Sequence, residues 1–307
     1  MNQATEIVLR GVGEPESLEI RTRALPDPQP GQALVRVEAT GVSFAEQQMR
    51  RGKYYDQPPF PFVPGYDLVG VVEATGNAGA PAVGQRVAAL TKIGGWADRV
   101  LLDADDLVPV PRDLDPVAAE TVVVNGITAW RMLHRSARVR AGQTIVVLRA
   151  IPIDYRSENV AARVRELAPD GVAAVFDHVG GPGIVDSWRM LARGGTLVSY
   201  GTASTRDQPG NPRRPVLALV ARLTAWNLLP NGRKATFFNL WAGRRLRPAR
   251  YRAQLRHDLD QVLDLVAQGA ITPQVARRFA LTDAAAALRY AESGGITGKV
   301  ILTPQDA

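Results

Sequence analysis

The chain has 307 residues, 46% hydrophobic and 22% charged, proportions typical of a soluble globular protein with room for two domains. It contains no cysteine, which excludes disulfides and thiolate chemistry. No apolar run is long enough to span a bilayer and no signal-peptide pattern opens the chain, so we expect a cytoplasmic protein with no membrane partner. The net charge of +7 comes almost entirely from arginine, a compositional bias that does not by itself indicate nucleic-acid binding.

The N-terminal part of the chain, to about residue 115, shows short apolar runs separated by turn residues. Such a pattern is typical of an all-β domain. A short helix is predicted at 43–50, between two of the strands. The predicted strands are 7–10, 18–21, 33–39, 68–74, 86–90 and 97–102.

From residue 116 onward the pattern changes to alternating helices and strands, which predicts a parallel sheet. Asp115 is placed to cap a helix at 116–134, which the polar group 125–128 is expected to interrupt. Ser157 is expected to cap a later helix, and Pro215 to open another. The predicted strands are 144–148, 172–176, 196–200 and 235–241, and from about 274 the chain returns to the first domain, ending on a strand at 298–302.

The junction after the first of these parallel strands is unusual. Leu148 is followed by Arg149, Ala150, Ile151 and Pro152, with no glycine. A dinucleotide-binding fold places a glycine-rich turn and a helix N-terminus here, because their N–H groups bind the pyrophosphate. The proline also disfavours helical geometry in the residue before it. The junction therefore predicts that neither NADPH nor NADH is bound.

Several motifs, in a fixed order along nearly the whole chain, carry a family resemblance. Together they resemble the medium-chain dehydrogenase/reductase superfamily, in its zinc-independent quinone oxidoreductase branch. The resemblance implies an α/β plus β fold, with a GroES-like β domain at 1–115 and 270–307 and a truncated Rossmann-like parallel α/β domain at 116–269. The motifs are those at 41–46, 51–54, 61–70, 124–129, 175–181, 194–201, 237–240 and 298–300.

Compared with this family, the chain lacks the glycine-rich turn, its helix, the second strand and most of the next helix. The missing block is on the order of 30–40 residues, about one βαβ unit. We expect the four remaining parallel strands to wind in one direction, with helix 157–168 as the first crossover. One sheet face then loses its helices and must be covered by residues 151–155, by helix 215–229 or by a second subunit. We therefore expect a homodimer.

Zinc binding, which many relatives show, is not expected here. The positions that would carry the ligands hold Ser43 and Tyr66, and the structural zinc lobe has no cysteine to form it. The three histidines, at 134, 178 and 257, lie in separate elements without ligand spacing. We predict no metal.

The resemblance also implies a ligand site at the nicotinamide end of the missing cofactor. Tyr54 is the first candidate for acid–base work, ahead of His178, Glu46 and Asp67. Two of these assignments have a purely structural alternative. For His178 it is a histidine whose hydrogen bonds are satisfied within a tight turn, and for 125–128 it is a join between helices that packs against the sheet. No cofactor-binding residue is predicted. The predicted substrate-binding residues are Tyr55, Asn125, Thr128, Tyr200, Phe237, Phe238 and Asn239.

Three functions remain open at this level. The first is a cofactor-independent enzyme that performs proton transfer, elimination or cyclisation on a small apolar carbonyl or polyketide-like substrate. The second is a zinc-independent NADPH-dependent quinone or enone reductase, as the family implies. The third is a non-catalytic binding protein. The arginines at 244–256 are interpreted as a solvated helix face and a basic loop, so no nucleic-acid partner is expected.

Overall fold

The computed structural model describes residues 2–76, 81–147, 159–205 and 210–304. The chain forms two compact units, Met1–Ile127 with Gly243–Ala307, and Thr128–Ala242. The domain limits predicted at 115/116 and 269/270 follow the family's sequence segments and stay a prediction. None of the helices in the described part of the chain has the length and apolarity needed to cross a bilayer.

The elements are numbered in chain order. The strands are β1 (Asn2–Leu9), β2 (Leu18–Leu25), β3 (Gln32–Val42), β4 (Asp67–Thr75), β5 (Arg86–Leu90), β6 (Arg99–Asp103), β7 (Val108–Pro109), β8 (Ile145–Val147), β9 (Val172–Asp177), β10 (Leu191–Ser199), β11 (Lys234–Phe237), β12 (Val275–Ala280) and β13 (Lys299–Thr303). The helices are α1 (Phe44–Arg50), α2 (Pro116–Trp130), α3 (Val160–Leu167), α4 (Ile184–Arg189), α5 (Arg213–Trp226), α6 (Pro248–Ala267) and α7 (Ala284–Glu292), and a π-helical segment, Arg131–Ala137, continues α2.

The first unit is built on β-structure, as predicted for a GroES-like domain. Strands β1 and β2 pair antiparallel, with Leu9 opposite Leu18. The larger sheet has the order β12-β13-β3-β4-β5-β7, and β6 pairs with β3. Apolar side chains of β3, β4 and β5 pack together in a core that includes Val35, Leu68 and Val87. The six strands predicted in this part of the chain are all present.

Helix α2 differs from the prediction in one respect. The polar group at 125–128 does not interrupt it, because the helix runs unbroken from Pro116 to Trp130. Asn125 is exposed, so its amide needs no partner inside the protein. A Cβ at position 126 would lie 2.6 Å from a methyl group of Val262, so Gly126 allows α6 to approach α2 closely. The glycine therefore serves helix packing rather than a break in the helix.

The second unit is a four-stranded parallel sheet in the order β11-β10-β9-β8. Within the described residues the strands wind in one direction, which confirms the predicted topology. Helix α3 connects β8 to β9 and begins at Val160, where the side chain of Asn159 accepts a hydrogen bond from Ala162 N at 3.0 Å. The predicted cap, Ser157, lies outside the described residues.

Each face of this sheet is covered by a different part of the second unit. Helices α3, α4 and α5 pack on one face, where Leu219 and Leu223 of α5 join a cluster with Val175 and Leu197. On the other face, Met132 of the π-helical segment packs with side chains of β9 and β10. Helix α5 was one of three predicted covers for the bare face, but it lies with the other helices. The predicted cover at 151–155 is outside the described residues.

Candidate functional site

Tyrosine side chains cluster inside the first unit. Tyr54 lies in the loop after α1 and Tyr66 directly precedes β4; their hydroxyl oxygens are 2.8 Å apart and both residues are buried. The rings of Tyr55 and Tyr54 lie 5.0 Å apart, centroid to centroid. Burial, followed by the effects of the two neighbouring tyrosines, raises the pKa of Tyr54 far above its ordinary value. Tyr54 therefore stays protonated at neutral pH and suits a hydrogen-bond or proton donor better than a base.

The loop that carries these tyrosines is fixed by contacts to the turn after β5. Lys92 forms an ion pair with Asp56, and the hydroxyl of Thr91 donates to the carbonyl oxygen of Gly65 at 2.6 Å. Gly65 has φ +107°, and a Cβ there would lie 2.4 Å from the backbone nitrogen of Trp96. Only glycine fits this conformation and this close approach. The position of Tyr66 therefore depends on its glycine neighbour.

A second group of polar side chains is buried in the same unit. Lys299 on β13 donates to Asp67 Oδ2 at 2.6 Å and to Glu120 Oε1 at 2.8 Å, and Asp67 Oδ2 also accepts from Val124 N at 2.8 Å. All three charged side chains are essentially inaccessible to solvent. Burial by itself would lower the pKa of Lys299, but Asp67 and Glu120 outweigh it and raise that pKa above its ordinary value. Lys299 is therefore a permanent buried cation.

The two acids of this cluster cannot both be ionised without cost, because only one cation lies between them. Burial, and then the charge of Asp67, raises the pKa of Glu120 well above its ordinary value, although Lys299 opposes this shift. Oδ1 of Asp67 and Oε2 of Glu120 accept no hydrogen bond from the described residues. A protonated Glu120 becomes a donor to Asp67. The neutral combination is Lys299 charged, Asp67 charged and Glu120 protonated.

Two further contacts show that the surrounding chain is shaped around this cluster. A Cβ at Gly41 would lie 2.2 Å from Cε of Lys299 and 2.5 Å from Glu120 Oε1, so glycine provides the space for both side chains. The carbonyl oxygen of Gly41 accepts from the indole of the buried Trp96 at 2.9 Å. The cluster is an integral part of the fold.

Glu46, a predicted catalytic residue, is tied to the N-terminus of α1. Its carboxylate accepts from the backbone nitrogen of Ser43 at 2.8 Å and from the Ser43 hydroxyl, which in turn accepts from Ala45 N at 3.1 Å. This is a capping box, and the Glu46 side chain is buried in it. Burial, opposed by Ser43 and assisted by Asp67, raises the pKa of Glu46. Catalytic roles for Glu46 and Asp67 stay predictions, since the contacts observed for both are structural.

His178 follows β9 in the second unit, at the carboxyl end of the strand. Its ring lies 5.1 Å from that of Tyr200, centroid to centroid. The preceding Asp177 holds the turn, because its carboxylate accepts from two backbone nitrogens at 2.8 Å each and from the Ser187 hydroxyl at 2.7 Å. A Cβ at Gly201 would lie 2.5 Å from the imidazole. The structure therefore brings His178 and Tyr200 together.

The predicted substrate-binding residues at the end of β11 and directly after it are separated. Phe237 packs with the side chains under α3, α4 and α5, whereas Phe238 packs with Tyr200 on the opposite face of the sheet. Successive side chains of a strand point to opposite faces, so the two rings cannot line one pocket. Asn239 is exposed and accepts a hydrogen bond from Trp241 N at 2.9 Å. Thr128 is half-buried near the end of α2.

The residues at the expected zinc positions do not fit a zinc ion. Ser43 and Tyr66 both hold hydrogen bonds within the protein, and neither offers the thiolate, imidazole or carboxylate that a tetrahedral site requires. In the described ranges, no group of three or more histidine, cysteine, aspartate or glutamate side chains is arranged to hold a metal ion.

Comparisons with known proteins agree with this architecture. The profile of the alcohol dehydrogenase GroES-like domain matches residues 29–112, and that of the zinc-binding dehydrogenase family matches residues 149–302, half of the chain. The chain belongs to the medium-chain dehydrogenase/reductase superfamily. Its relatives include proteins named quinone oxidoreductase.

Three proteins are similar to this chain over nearly its whole length. The rat synaptic vesicle membrane protein VAT-1 homolog is 26% identical, with 97% of this chain and 83% of that protein aligned. The structure of a Pseudomonas syringae quinone oxidoreductase is 25% identical, covers 98% of this chain and 100% of its own, and has a TM-score of 0.81. A mycobacterial protein solved in complex with NADPH is 27% identical, with coverage of 98% and 100% and a TM-score of 0.79.

The buried cluster was not predicted from the sequence. Lys299 stands in an apolar strand and is one of only four lysines in the chain, which is the signal that could have revealed it. A lysine at a buried strand position needs an acidic partner. Its partners Asp67 and Glu120 lie 232 and 179 positions away in the sequence, so spacing gave no indication of the pairing.

Proposed function

We propose that this protein works without NADPH, on a superfamily scaffold that has lost its dinucleotide site. It would catalyse proton transfer, elimination or cyclisation on a small apolar carbonyl or polyketide-like compound. The observation that carries the proposal is the connection between β8 and α3. Only the 12 residues 148–159 separate Val147 from Val160, and no glycine occurs from Gln143 to Asp170.

This connection is too short for the elements that bind a dinucleotide. Helix α3 is itself the crossover from β8 to β9, so 12 residues would have to supply a glycine-rich turn, a helix, a strand and a second turn. A βαβ unit needs about 30 residues or more. The alignment with the rat relative supports the same proposal. It runs over 346 positions and includes 97% of the 307 residues of this chain, which is about 298. About 48 positions of the alignment therefore have no counterpart in this chain.

The tyrosine cluster supports a role in carbonyl chemistry. A Tyr54 hydroxyl with a raised pKa is a permanent donor, the kind of group that holds a carbonyl oxygen and stabilises the negative charge of an enolate. Tyr55 is half-buried beside it, and burial, followed by Asp56, raises its pKa as well. Both phenols therefore remain neutral donors at physiological pH.

The proposal is tested by titrating the protein with NADPH, following nucleotide fluorescence and the melting temperature. The mycobacterial relative solved with NADPH is the positive control. We expect no saturable binding up to millimolar nucleotide and no rise in melting temperature, because the pyrophosphate contacts are missing. A micromolar dissociation constant would contradict the proposal.

The same titration decides for or against the second candidate, an NADPH-dependent quinone or enone reductase. That candidate is favoured by relatives named quinone oxidoreductase and by the relative solved with NADPH. Micromolar NADPH binding, together with NADPH oxidation in the presence of a quinone, would establish it in place of the proposal.

A further inference from the structure

Helix α5 buries one apolar side in the second unit, while leucines on its other side and in the turn after it are exposed. Leu219 and Leu223 are directed into the core of the second unit and are buried. Leu217, on the other side, is 66% exposed, and Leu228, just beyond the C-terminal end of the helix, is 83% exposed. Leu229, in the turn after the helix, is 47% exposed. The described residues leave these large aliphatic side chains in contact with water, so their exposed parts add no hydrophobic stabilisation to the fold.

The charged residues that neighbour these leucines in sequence all have one sign. Arg213, Arg214 and Arg222 lie on exposed positions of α5, and Lys234 is exposed at the start of β11. No aspartate or glutamate occurs from residue 208 to residue 257, whereas 11 arginines and lysines do. The charged side chains next to these leucines in sequence are therefore all cationic.

We propose that α5 and the turn after it form a docking surface for an anionic phospholipid bilayer. Arginines at the headgroup level with leucines below them are the arrangement by which a helix binds a bilayer surface. A second copy of this chain fits less well, because a two-fold axis at this surface would bring its arginines together. Nucleic acid would pair with the arginines but would leave the leucines in water.

Peripheral binding of this kind needs no membrane-spanning segment. The expectation of no membrane partner was based on the absence of such a segment. A peripheral docking surface is compatible with that absence, so the proposal replaces the expectation. Each cationic side chain near an anionic surface contributes about 1 kcal/mol, equivalent to about fivefold in affinity. Three arginines and three leucines therefore give reversible attachment and not permanent anchoring.

The test is co-sedimentation of the full chain with vesicles of phosphatidylcholine and phosphatidylglycerol in equal parts, compared with phosphatidylcholine alone. We expect binding to the anionic vesicles only, weakened by high salt. The double variant Leu217→Ser/Leu228→Ser and the double variant Arg214→Glu/Arg222→Glu should each weaken binding by roughly tenfold or more. Circular dichroism melting curves check that these exposed changes leave the fold intact.

Matched controls lie in the same unit. Leu167→Ser on α3 removes a leucine that is 64% exposed, and Arg189→Glu on α4 reverses an exposed arginine. Both controls should bind vesicles like the unmodified protein. The proposal is overturned if nothing sediments, if neutral vesicles bind equally, or if the leucine variant binds as well as its control.

Two other results would also overturn it in favour of a different partner. If the leucine variant halves the mass in light scattering, the surface joins two copies of this chain. If the arginine variant loses binding to a DNA duplex while vesicle binding is unchanged, the surface serves nucleic acid.

Discussion

Lys299 is the cation that balances the buried carboxyl groups of Asp67 and Glu120. It is the only cation bonded to Asp67 and Glu120 among the described residues, and all three side chains are out of contact with water. Replacement by methionine keeps most of the length of the side chain but leaves the Asp67 carboxylate buried without its cation. We expect Lys299→Met to lower the free energy of unfolding by about 3–5 kcal/mol in urea denaturation. Lys234→Met, at an exposed position, should change it by less than about 0.5 kcal/mol.

Glu120 should make stability depend on pH. Its pKa in the folded protein is raised above the ordinary value of 4.5, so the folded state holds this proton to higher pH than the unfolded chain does. The free energy of unfolding then falls as pH rises above about 4.5, because the folded state binds more protons than the unfolded state in that range. Glu120→Gln removes this dependence. We expect the variant to gain stability relative to the unmodified protein as pH rises from 4.5 to 8.

The control for this pH series is Glu166→Gln, which changes an exposed carboxylate on α3. Because solvent screens an exposed carboxylate, this variant should differ from the unmodified protein by less than about 0.5 kcal/mol throughout the same pH range. If the Glu120→Gln difference is equally flat in thermal melts, Glu120 is ionised in the folded state and the assignment of the proton is wrong.

Tyr54 provides the residue-level test of the proposed chemistry. Tyr54→Phe keeps the buried ring and removes the hydroxyl that bonds to Tyr66 at 2.8 Å. Once a substrate is found, turnover should fall on the order of 100-fold, within the usual range for general acid–base catalysis. Tyr290→Phe, which alters a phenol beside Phe279, is the matched control and should keep full turnover. If Tyr54→Phe keeps full turnover, Tyr54 lines the site but takes no part in the proton transfer.

At the level of elements, the sequence predicted the strands well and their ends less well. Strand β5 agrees with its prediction residue for residue, because the polar residues Arg86 and Thr91 stand at the two ends of a short apolar run. Strand β10 begins at Leu191, five residues before the predicted 196, since an irregular pairing at its start lets Leu191 pair with Val172. Such an irregularity depends on the neighbouring strand and leaves no periodic signal in the sequence.

The candidate site was predictable only where the order of the parallel strands brings residues together. His178 and Tyr200 come together because both follow parallel strands, whose carboxyl ends share one edge of the sheet. Phe237 and Phe238 are neighbours in sequence but lie on opposite faces, which the alternation of strand side chains already implies. The partners of Lys299 come from α2 and β4, and no local pattern connects these elements.

The capping box of α1 gives a prediction at the element scale. The Ser43 side chain and the Glu46 side chain satisfy each other's backbone nitrogens at the start of a helix of seven residues. Ser43→Ala removes one of these bonds and leaves the buried Glu46 carboxylate with fewer donors. We expect a loss of about 1–2 kcal/mol in the free energy of unfolding. Ser17→Ala, which alters an exposed hydroxyl bonded to a turn carbonyl, is the control and should cost less.

For the whole molecule, the open edges of the parallel sheet bear on its oligomeric state. Within the described residues the sheet ends at β8 on one side and at β11 on the other, and neither edge strand has a second partner. An unpaired edge strand is a template for pairing with another chain. The predicted homodimer therefore has a structural route that does not use α5, whose Leu219 and Leu223 already pack inside the unit.

We expect light scattering at micromolar concentration to give twice the 33.1 kDa of one chain. Pairing of β11 with its copy across a two-fold axis would extend the four parallel strands of each chain into one continuous sheet of eight. Because the contact would consist of backbone hydrogen bonds, the dimer should persist at high salt, whereas vesicle binding through α5 should not. Leu217→Ser/Leu228→Ser should leave the dimer mass unchanged, which separates the two surfaces. A monomer mass at all micromolar concentrations would show that the sheet edges are protected within a single chain.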